Sequence, residues 1–234
     1  MVDLRLYALI DPERSGGRAL DDLARRVVQG GATLIQLRNK QGSTRELLAQ
    51  AQAVKAALRE SEVPLLINDR VDIVLASGAD GVHVGQDDMP AEAARRLLGP
   101  TAIVGLTVRS LAEAAAAPLD LVDYVAIGGV FATASKLNPQ PAVGISGLRE
   151  IAAAVRTRAL NFPVVAIAGI DRSNATQVVA AGADGIAVIS ALSLAPEPTG
   201  AARELRSIVD AALDERTHQP SVSLPAKNSG RARP

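Results

Sequence analysis

Three short echoes constrain this chain more than any other feature. Gly31-Ala32-Thr33, Gly78-Ala79-Asp80 and Gly182-Ala183-Asp184 each close a helical pattern and open an apolar, β-prone run. Their starts lie 47 and 104 residues apart, which divide into two units of about 23.5 and four of about 26 residues. Units of that length match strand–helix pairs with short connections. Eight of them account for the chain as far as Leu213, and eight close into a (β/α)₈ barrel. A doubly wound open sheet would need a reversal of strand order, and the Gly-rich first turn of such folds is absent. Apolar residues make up 48% of the chain and aromatics only 2%, so Ala, Val, Leu and Ile must fill the interior. That suits a parallel sheet covered by helices.

The alternation can be followed in order. Strand patterns fall at Leu4–Ile10, Thr33–Leu37, Val63–Ile67, Gly81–Val84, Ala102–Leu106, Leu121–Ile127, Val164–Ala168 and Gly185–Ile189. Helical patterns fall at Leu20–Gln29, Thr44–Arg59, Val71–Ala76, Ala91–Leu98, Ser110–Ala117, Gly147–Arg158, Asn174–Ala180 and Ala201–Leu213. Ser43 followed by Glu46 predicts a capping box, and Pro90 stands near the first turn of the fourth helix. Residues 1–215 therefore read as a single barrel domain. Residues 216–234, mixing Pro, Ser, Gly and Lys/Arg, read as a disordered tail.

Charge excludes several partner classes. Acids and bases balance at 25 each, but the tail carries Lys227, Arg231 and Arg233 without an acid, leaving about −3 on residues 1–216. No electrostatic footprint for nucleic acid is present on the expected folded part. No signal peptide or membrane-spanning run is evident, so the cytoplasm is the expected compartment and no membrane partner is expected. The chain has no cysteine, which excludes disulfides and thiolate chemistry. The oligomeric state stays open, a homo-oligomer included.

A barrel gathers the residues that follow its strands at one mouth. That filter collects Gln36, Arg38 and Lys40 after strand 2, Asn68 and Asp69 after strand 3, and Gln86, Asp87 and Asp88 after strand 4. It adds Thr107 after strand 5 and the long polar loop Gly128–Gly144 after strand 6, with Thr133, Ser135 and Lys136. Gly169 follows strand 7 and Ser190 follows strand 8. Asp69 and Asp88 could give oxygen ligands to Mg²⁺, which is commonly completed by water and substrate phosphates. Arg38, Lys40 and Lys136 match a pyrophosphate, and the loops after strands 7 and 8 commonly hold a phosphate. Each residue also has a plainer reading. Asn68-Asp69 and Asp88 could cap helices, Thr133 and Ser135 could be turn residues, and His83 could pack in the barrel interior or at its rim. His218 falls in the tail and is expected to be inert.

Six motifs in order, QLRNK at Gln36–Lys40, IND at Ile67–Asp69, GVHVGQDD at Gly81–Asp88, GGVFATASK at Gly128–Lys136, AGI at Ala168–Ile170 and VIS at Val188–Ser190, resemble the thiamine-phosphate synthase family from Tyr7 to about Ala212. The resemblance implies a Mg²⁺-dependent barrel transferase joining a pyrimidinylmethyl diphosphate to a thiazole phosphate in thiamine biosynthesis. It implies that Gln36, Arg38, Lys40, Asn68, Thr107 and Lys136 meet the pyrimidine diphosphate, with Asn39 beside them. Asp69 and Asp88 would hold the metal. Thr133, Ser135, Gly169, Ile189 and Ser190 would hold the thiazole phosphate, with Ala134 in the same loop. Arg38, Lys40 and Lys136 would act on the developing charge. Thr107 stands where the family usually has serine and Ser135 where it usually has threonine; both keep a hydroxyl. A related thiazole tautomerase working through a histidine, a phosphate-binding aldolase or isomerase, and a non-catalytic vitamin-binding barrel are the alternatives.

Overall fold

The computed structural model describes residues 2–133 and 141–218. Eight parallel strands close in sequence order into a barrel, β1 pairing with β8. They are β1 (Leu6–Ile10), β2 (Leu34–Leu37), β3 (Leu65–Asn68), β4 (Gly81–Val84), β5 (Ile103–Val108), β6 (Tyr124–Ile127), β7 (Val164–Ile167) and β8 (Gly185–Val188). The helices are α1 (Leu20–Gln29), α2 (Thr44–Ala57), α3 (Val71–Ser77), α4 (Ala91–Leu98), α5 (Leu111–Ala116), α6 (Gly144–Arg158), α7 (Ala175–Ala180), α8 (Ser190–Ser193) and α9 (Pro198–His218).

Side-chain alternation on the strands divides the core into two layers. Leu6, Ala8 and Ile10 face outward and pack with helix residues such as Leu23, Val27 and Val54. Tyr7, Leu9, Leu34, Leu66, Tyr124, Ala126, Val165 and Ala187 fill the lumen. β1, β2, β4, β6 and β8 are buried along their whole length, which explains their nearly unbroken apolar sequences. Ser43 caps α2 by accepting from the Glu46 N–H, as its sequence predicts, and Ser110 caps α5 through the Glu113 N–H in the same way.

The Gly-Ala-Thr/Asp echoes have a physical cause at the barrel floor. The residue just before each even-numbered strand accepts a backbone N–H from the start of the preceding odd strand. Thr33 Oγ1 takes Leu6 N–H at 3.1 Å and Asp80 takes Leu65 N–H at 2.8 Å. Asp123 takes Val104 N–H at 2.7 Å and Asp184 takes Val164 N–H at 2.9 Å. Each of these four residues returns its own N–H to the carbonyl of the same strand residue, at 2.7–2.8 Å. A base from the helix that leads into each odd strand (α2, α4 or α6) holds the carboxylate: Lys55 on Asp80 at 2.6 Å, Arg95 on Asp123 at 2.7 Å and Arg156 on Asp184 at 2.8 Å. The clamp thus repeats fourfold, once per two strand–helix units. Only three of the four carry the Gly-Ala signature, because Leu121-Val122 precedes Asp123.

Several boundaries differ from the sequence expectation. Thr107, expected after strand 5, lies within β5, and Asn68, expected after strand 3, is the last residue of β3; Gln36 lies within β2, inside the run Thr33–Leu37 expected as strand. The upper lumen is polar, so strands continue past inward-facing polar residues that resemble strand ends in a linear reading. A short 3₁₀ turn at Pro12–Arg14, capped by Asp11, was not foreseen, and the helical start expected at Ser190 is the separate short helix α8. The last helix starts earlier than expected and runs past Glu215 to His218, so residues 216–218 belong to the barrel's outer layer. Arg216 holds it there through Asp184 at 2.7 Å. His218 ends that helix instead of lying in a tail, and the remaining expected tail, residues 219–234, lies outside the described residues. Among the described residues no helix is long and apolar enough to cross a membrane.

The floor clamp predicts a specific weakness. Asp184→Ala strips a charged acceptor from Val164 N–H and from two arginines, so it lowers unfolding free energy by about 1.5–3 kcal/mol at constant m. Urea denaturation measures this; a loss below about 0.5 kcal/mol, typical of a neutral surface change, contradicts the clamp.

Candidate active site

The C-terminal ends of the strands surround a cavity of about 540 Å³, within the usual range for small-molecule sites. Gln36, Arg38, Asn68, Thr107, Thr133, Gly169, Ile189 and Ser190 line it, as expected from the sequence. Arg38 follows β2 directly, and its N–H continues the sheet pairing to Ile10 O at 2.9 Å. Its guanidinium forms an ion pair with Asp11, whose side chain is 1% exposed at the end of β1. Asp11 also caps the 3₁₀ turn by accepting from Glu13 N–H at 2.9 Å. The fork of Arg38 is therefore anchored from behind while it faces the cavity.

Asp69 and Asp88 form the acidic rim beside this cavity. Asp69 adopts a left-handed backbone (φ 64°), where only a few per cent of non-glycine residues fall. Its N–H is bound to His83 O at 2.8 Å and its carboxylate accepts from Asn68 Nδ2 at 2.7 Å. Lys40 is ion-paired with the same carboxylate. Burial first, then the neighbouring Asp88 carboxyl, push Asp69 above its ordinary value against the pull of Lys40. Asp88 is oriented by Gly85 N–H, donated to its Oδ2 at 2.8 Å. An Asp69 carboxyl whose proton affinity is raised by a neighbouring carboxyl suits a hard cation held between the two, which would relieve that repulsion. Among the described residues no group of three or more His, Cys, Asp or Glu side chains forms a metal cluster, and the pair of carboxylates is what this rim offers. That small set fits Mg²⁺ completed by water and phosphate.

The opposite wall is built from the ends of β6 and β7. Val130 N–H and Phe131 N–H donate to Ile167 O and Ala168 O, both at 3.1 Å, folding the start of the β6 loop over β7. Gly169 (φ 65°) sits beneath it, where an added Cβ would lie 2.5 Å from Ala132 O. Close backbone approach and the left-handed angle both require glycine here. Asn174 Nδ2 fixes the turn by donating to Gly169 O at 2.9 Å.

The cavity floor holds a hydrogen-bonded series unusual for a barrel lumen. Gln36 Nε2 donates to Tyr7 Oη, which lies 3.0 Å from Tyr124 Oη. Tyr124 Oη lies 2.8 Å from His83 Nδ1, and His83 Nε2 lies 2.7 Å from Thr107 Oγ1. Burial pushes both phenols far above the ordinary tyrosine range, so both remain protonated.

The remaining expected residues divide clearly. Asn39 does not line the cavity; its Oδ1 accepts from Gly42 N–H at 2.7 Å and its Nδ2 donates to Gln50 at 3.0 Å, shaping the β2 loop. Gln86 braces β5 by donating to Thr107 O at 2.6 Å. Ala134, Ser135 and Lys136 lie outside the described residues. Sequence reasoning missed Asp11, Arg14, Arg109 and the two tyrosines. Arg14 and Arg109 both line the cavity. Ending β5 at Val108 would have brought Arg109 into the strand-end filter, whereas nothing in the local sequence of Tyr7 or Tyr124 marks them out.

Comparison with known proteins spans the same barrel. A family model described as Thiamine monophosphate synthase matches residues 6–192. The thiamine-phosphate synthase of Agrobacterium fabrum is 50% identical over 215 residues, covering 92% of this chain and 98% of that protein. That of Albidiferax ferrireducens is 48% identical, covering 89% of this chain and 93% of its own. A solved thiamine phosphate pyrophosphorylase from Pyrococcus furiosus superposes with TM-score 0.79 at 38% identity, covering 91% of this chain and 98% of that one.

The Arg38–Asp11 pair can be tested for its anchoring role. Asp11→Leu leaves the Arg38 charge uncompensated and costs about 3–5 kcal/mol, while Asp11→Leu combined with Arg38→Met recovers much of that loss. Thermal denaturation of both variants decides it; equal destabilisation of the single and double variants contradicts the pairing.

Proposed function

The chain belongs to the thiamine monophosphate synthase family, and on that premise we propose that it transfers the pyrimidinylmethyl group of 4-amino-2-methyl-5-(diphosphooxymethyl)pyrimidine to the nitrogen of 4-methyl-5-(2-phosphooxyethyl)thiazole. The products are thiamine phosphate and diphosphate. The observation that best supports the reading is the meeting of the anchored Arg38 fork and the Asp69–Asp88 pair at one barrel mouth. A diphosphate needs both a planar cation and a bridged metal; an uncharged substrate needs neither.

The C–O bond to diphosphate breaks with its electron pair leaving on oxygen, and the thiazole nitrogen lone pair forms the new C–N bond. The electron-rich aminopyrimidine carries the intervening positive charge on its methylene. No protein nucleophile or base takes part, in keeping with a chain that has no cysteine. His83, the residue a tautomerase reading would need as base, has both ring nitrogens within hydrogen-bond distance of barrel hydroxyls.

Arg38, Lys40 and Lys136 would oppose charge growing on the leaving diphosphate, a form of electrostatic catalysis. Gln36, Asn68 and Thr107 would hold the pyrimidine diphosphate, with Asn39 shaping their loop. Thr133, Ala134, Ser135, Gly169, Ile189 and Ser190 would hold the thiazole phosphate. Asp69 and Asp88 would hold Mg²⁺, which when bound supplies Lewis-acid stabilisation of the phosphate oxygens.

Two measurements test this. Purified protein releases diphosphate only with both substrates and Mg²⁺ together; release with the pyrimidine alone at the same rate sinks the condensation. Asp69→Asn removes an anionic oxygen ligand and raises the Mg²⁺ needed for half-maximal rate by roughly tenfold or more. An unchanged Mg²⁺ activation curve removes Asp69 from the metal.

A further inference from the structure

Both tyrosines of the chain are spent in the barrel lumen, in contact with each other, and Tyr124 also meets His83. Tyr7 and Tyr124 meet edge to face at 5.9 Å and 87°, and His83 stacks on Tyr124 at 5.6 Å and 25°. Gly105 on β5 makes room for them: an added Cβ would fall 2.3 Å from Tyr124 Oη and 2.6 Å from His83 Nδ1. The space is shaped around the hydrogen-bonding atoms themselves.

Proton counting gives this series a direction. Gln36 donates to Tyr7, and Tyr7 is fully buried with Tyr124 as its other polar neighbour, so its single proton goes to Tyr124. Tyr124, equally buried, then gives its proton to His83 Nδ1. A neutral imidazole accepting at Nδ1 carries its proton on Nε2, which donates to Thr107 Oγ1. Thr107 lines the cavity, and its own hydroxyl proton is left to be given outward. We propose that Gln36, Tyr7, Tyr124 and His83 form a proton-ordered relay whose purpose is to hold Thr107 as a hydrogen-bond donor to an acceptor atom of the substrate. Tyr7, Tyr124 and His83 are in this sense positioning residues that act through Thr107. The relay crosses β2, β1, β6, β4 and β5, and no member needs to change charge.

The ordering itself is independent of the reaction, while its kinetic consequence rests on the function proposed above, and the tests separate the two. The chain has two histidines, so ¹⁵N-histidine spectra of the wild type and of His218→Gln assign His83 directly. The expected spectrum is a neutral ring with the proton on Nε2 and an accepting Nδ1. A proton on Nδ1, or a doubly protonated ring at neutral pH, overturns the relay. For kinetics, Tyr124→Phe and Thr107→Val each lower kcat by roughly tenfold to a hundredfold, the loss expected for one misdirected donor. The double variant falls no further than the worse single variant, since Tyr124 acts only through Thr107. Thr107→Ser keeps the hydroxyl and loses less kcat than Thr107→Val. Multiplying losses in the double variant, or wild-type kcat in Tyr124→Phe, overturns the relay. Absence of any turnover in the wild type strikes the proposed reaction alone, and the tautomer of His83 still decides the ordering.

Discussion

Everything at the mouth of this barrel depends on a set of hydrogen bonds at its floor. Thr33, Asp80, Asp123 and Asp184 each exchange two bonds with the first or second residue of the preceding odd strand. A parallel barrel has no hairpins to fix its register, so strand offsets must be set elsewhere. One side-chain acceptor per strand pair sets them at the end where the strands begin. Lys55, Arg95 and Arg156 tie the helix layer to the same points, so strand register and helix placement are decided together. With four clamps at the floor, the opposite ends of β2, β3, β5 and β7 are held in position without their side chains having to hold themselves.

That asymmetry separates stability from function along the barrel axis. The floor's carboxylates are matched by bases and backbone donors. At the mouth, Asp69 is crowded by Asp88 and strained at a left-handed angle, and Ala168 shares that strain (φ 93°) on the opposite wall. Such arrangements persist only where the surroundings over-determine them. Here the clamped strands supply that determination for the two left-handed residues that sit immediately after β3 and β7, while Glu62 and Asn161 adopt the same backbone region in the turns that lead into those strands.

The sequence carried the architecture because the architecture is periodic. Apolar runs, helix stops and three of the four floor clamps repeat at unit spacing, and the third clamp escaped notice only because Leu121-Val122 replaces Gly-Ala before Asp123. Arg38, Asp69 and Gly169 were legible at the mouth because polar or glycine residues right after apolar runs stand out. Asp11 did not stand out, since Asp11-Pro12 is also an ordinary turn signal. Tyr7 and Tyr124 lie inside apolar strand runs that give no sign of a polar role, and by burial they are core. Their meaning lies in contacts across 117 residues that no local pattern encodes. Thr107 was recognised as a site residue but placed past the end of its strand, because a strand that turns polar inside a lumen looks like a strand that has ended.

The neutral lumen and the charged rim answer opposite needs of one proposed reaction. A leaving diphosphate calls for cations, and these stand at the rim on flexible or forked side chains. A methylene carrying positive charge calls for surroundings with no competing lone pair within reach. An open imidazole beside it would be a trap. In the ordered relay the Nδ1 lone pair of His83 is covered by Tyr124 and its Nε2 carries a proton toward Thr107. A histidine so engaged contributes polarity and a fixed donor direction while its nucleophilic electrons are withheld. The thiazole nitrogen is then the capturing lone pair, because the protein's nearest alternative is already bonded within the barrel.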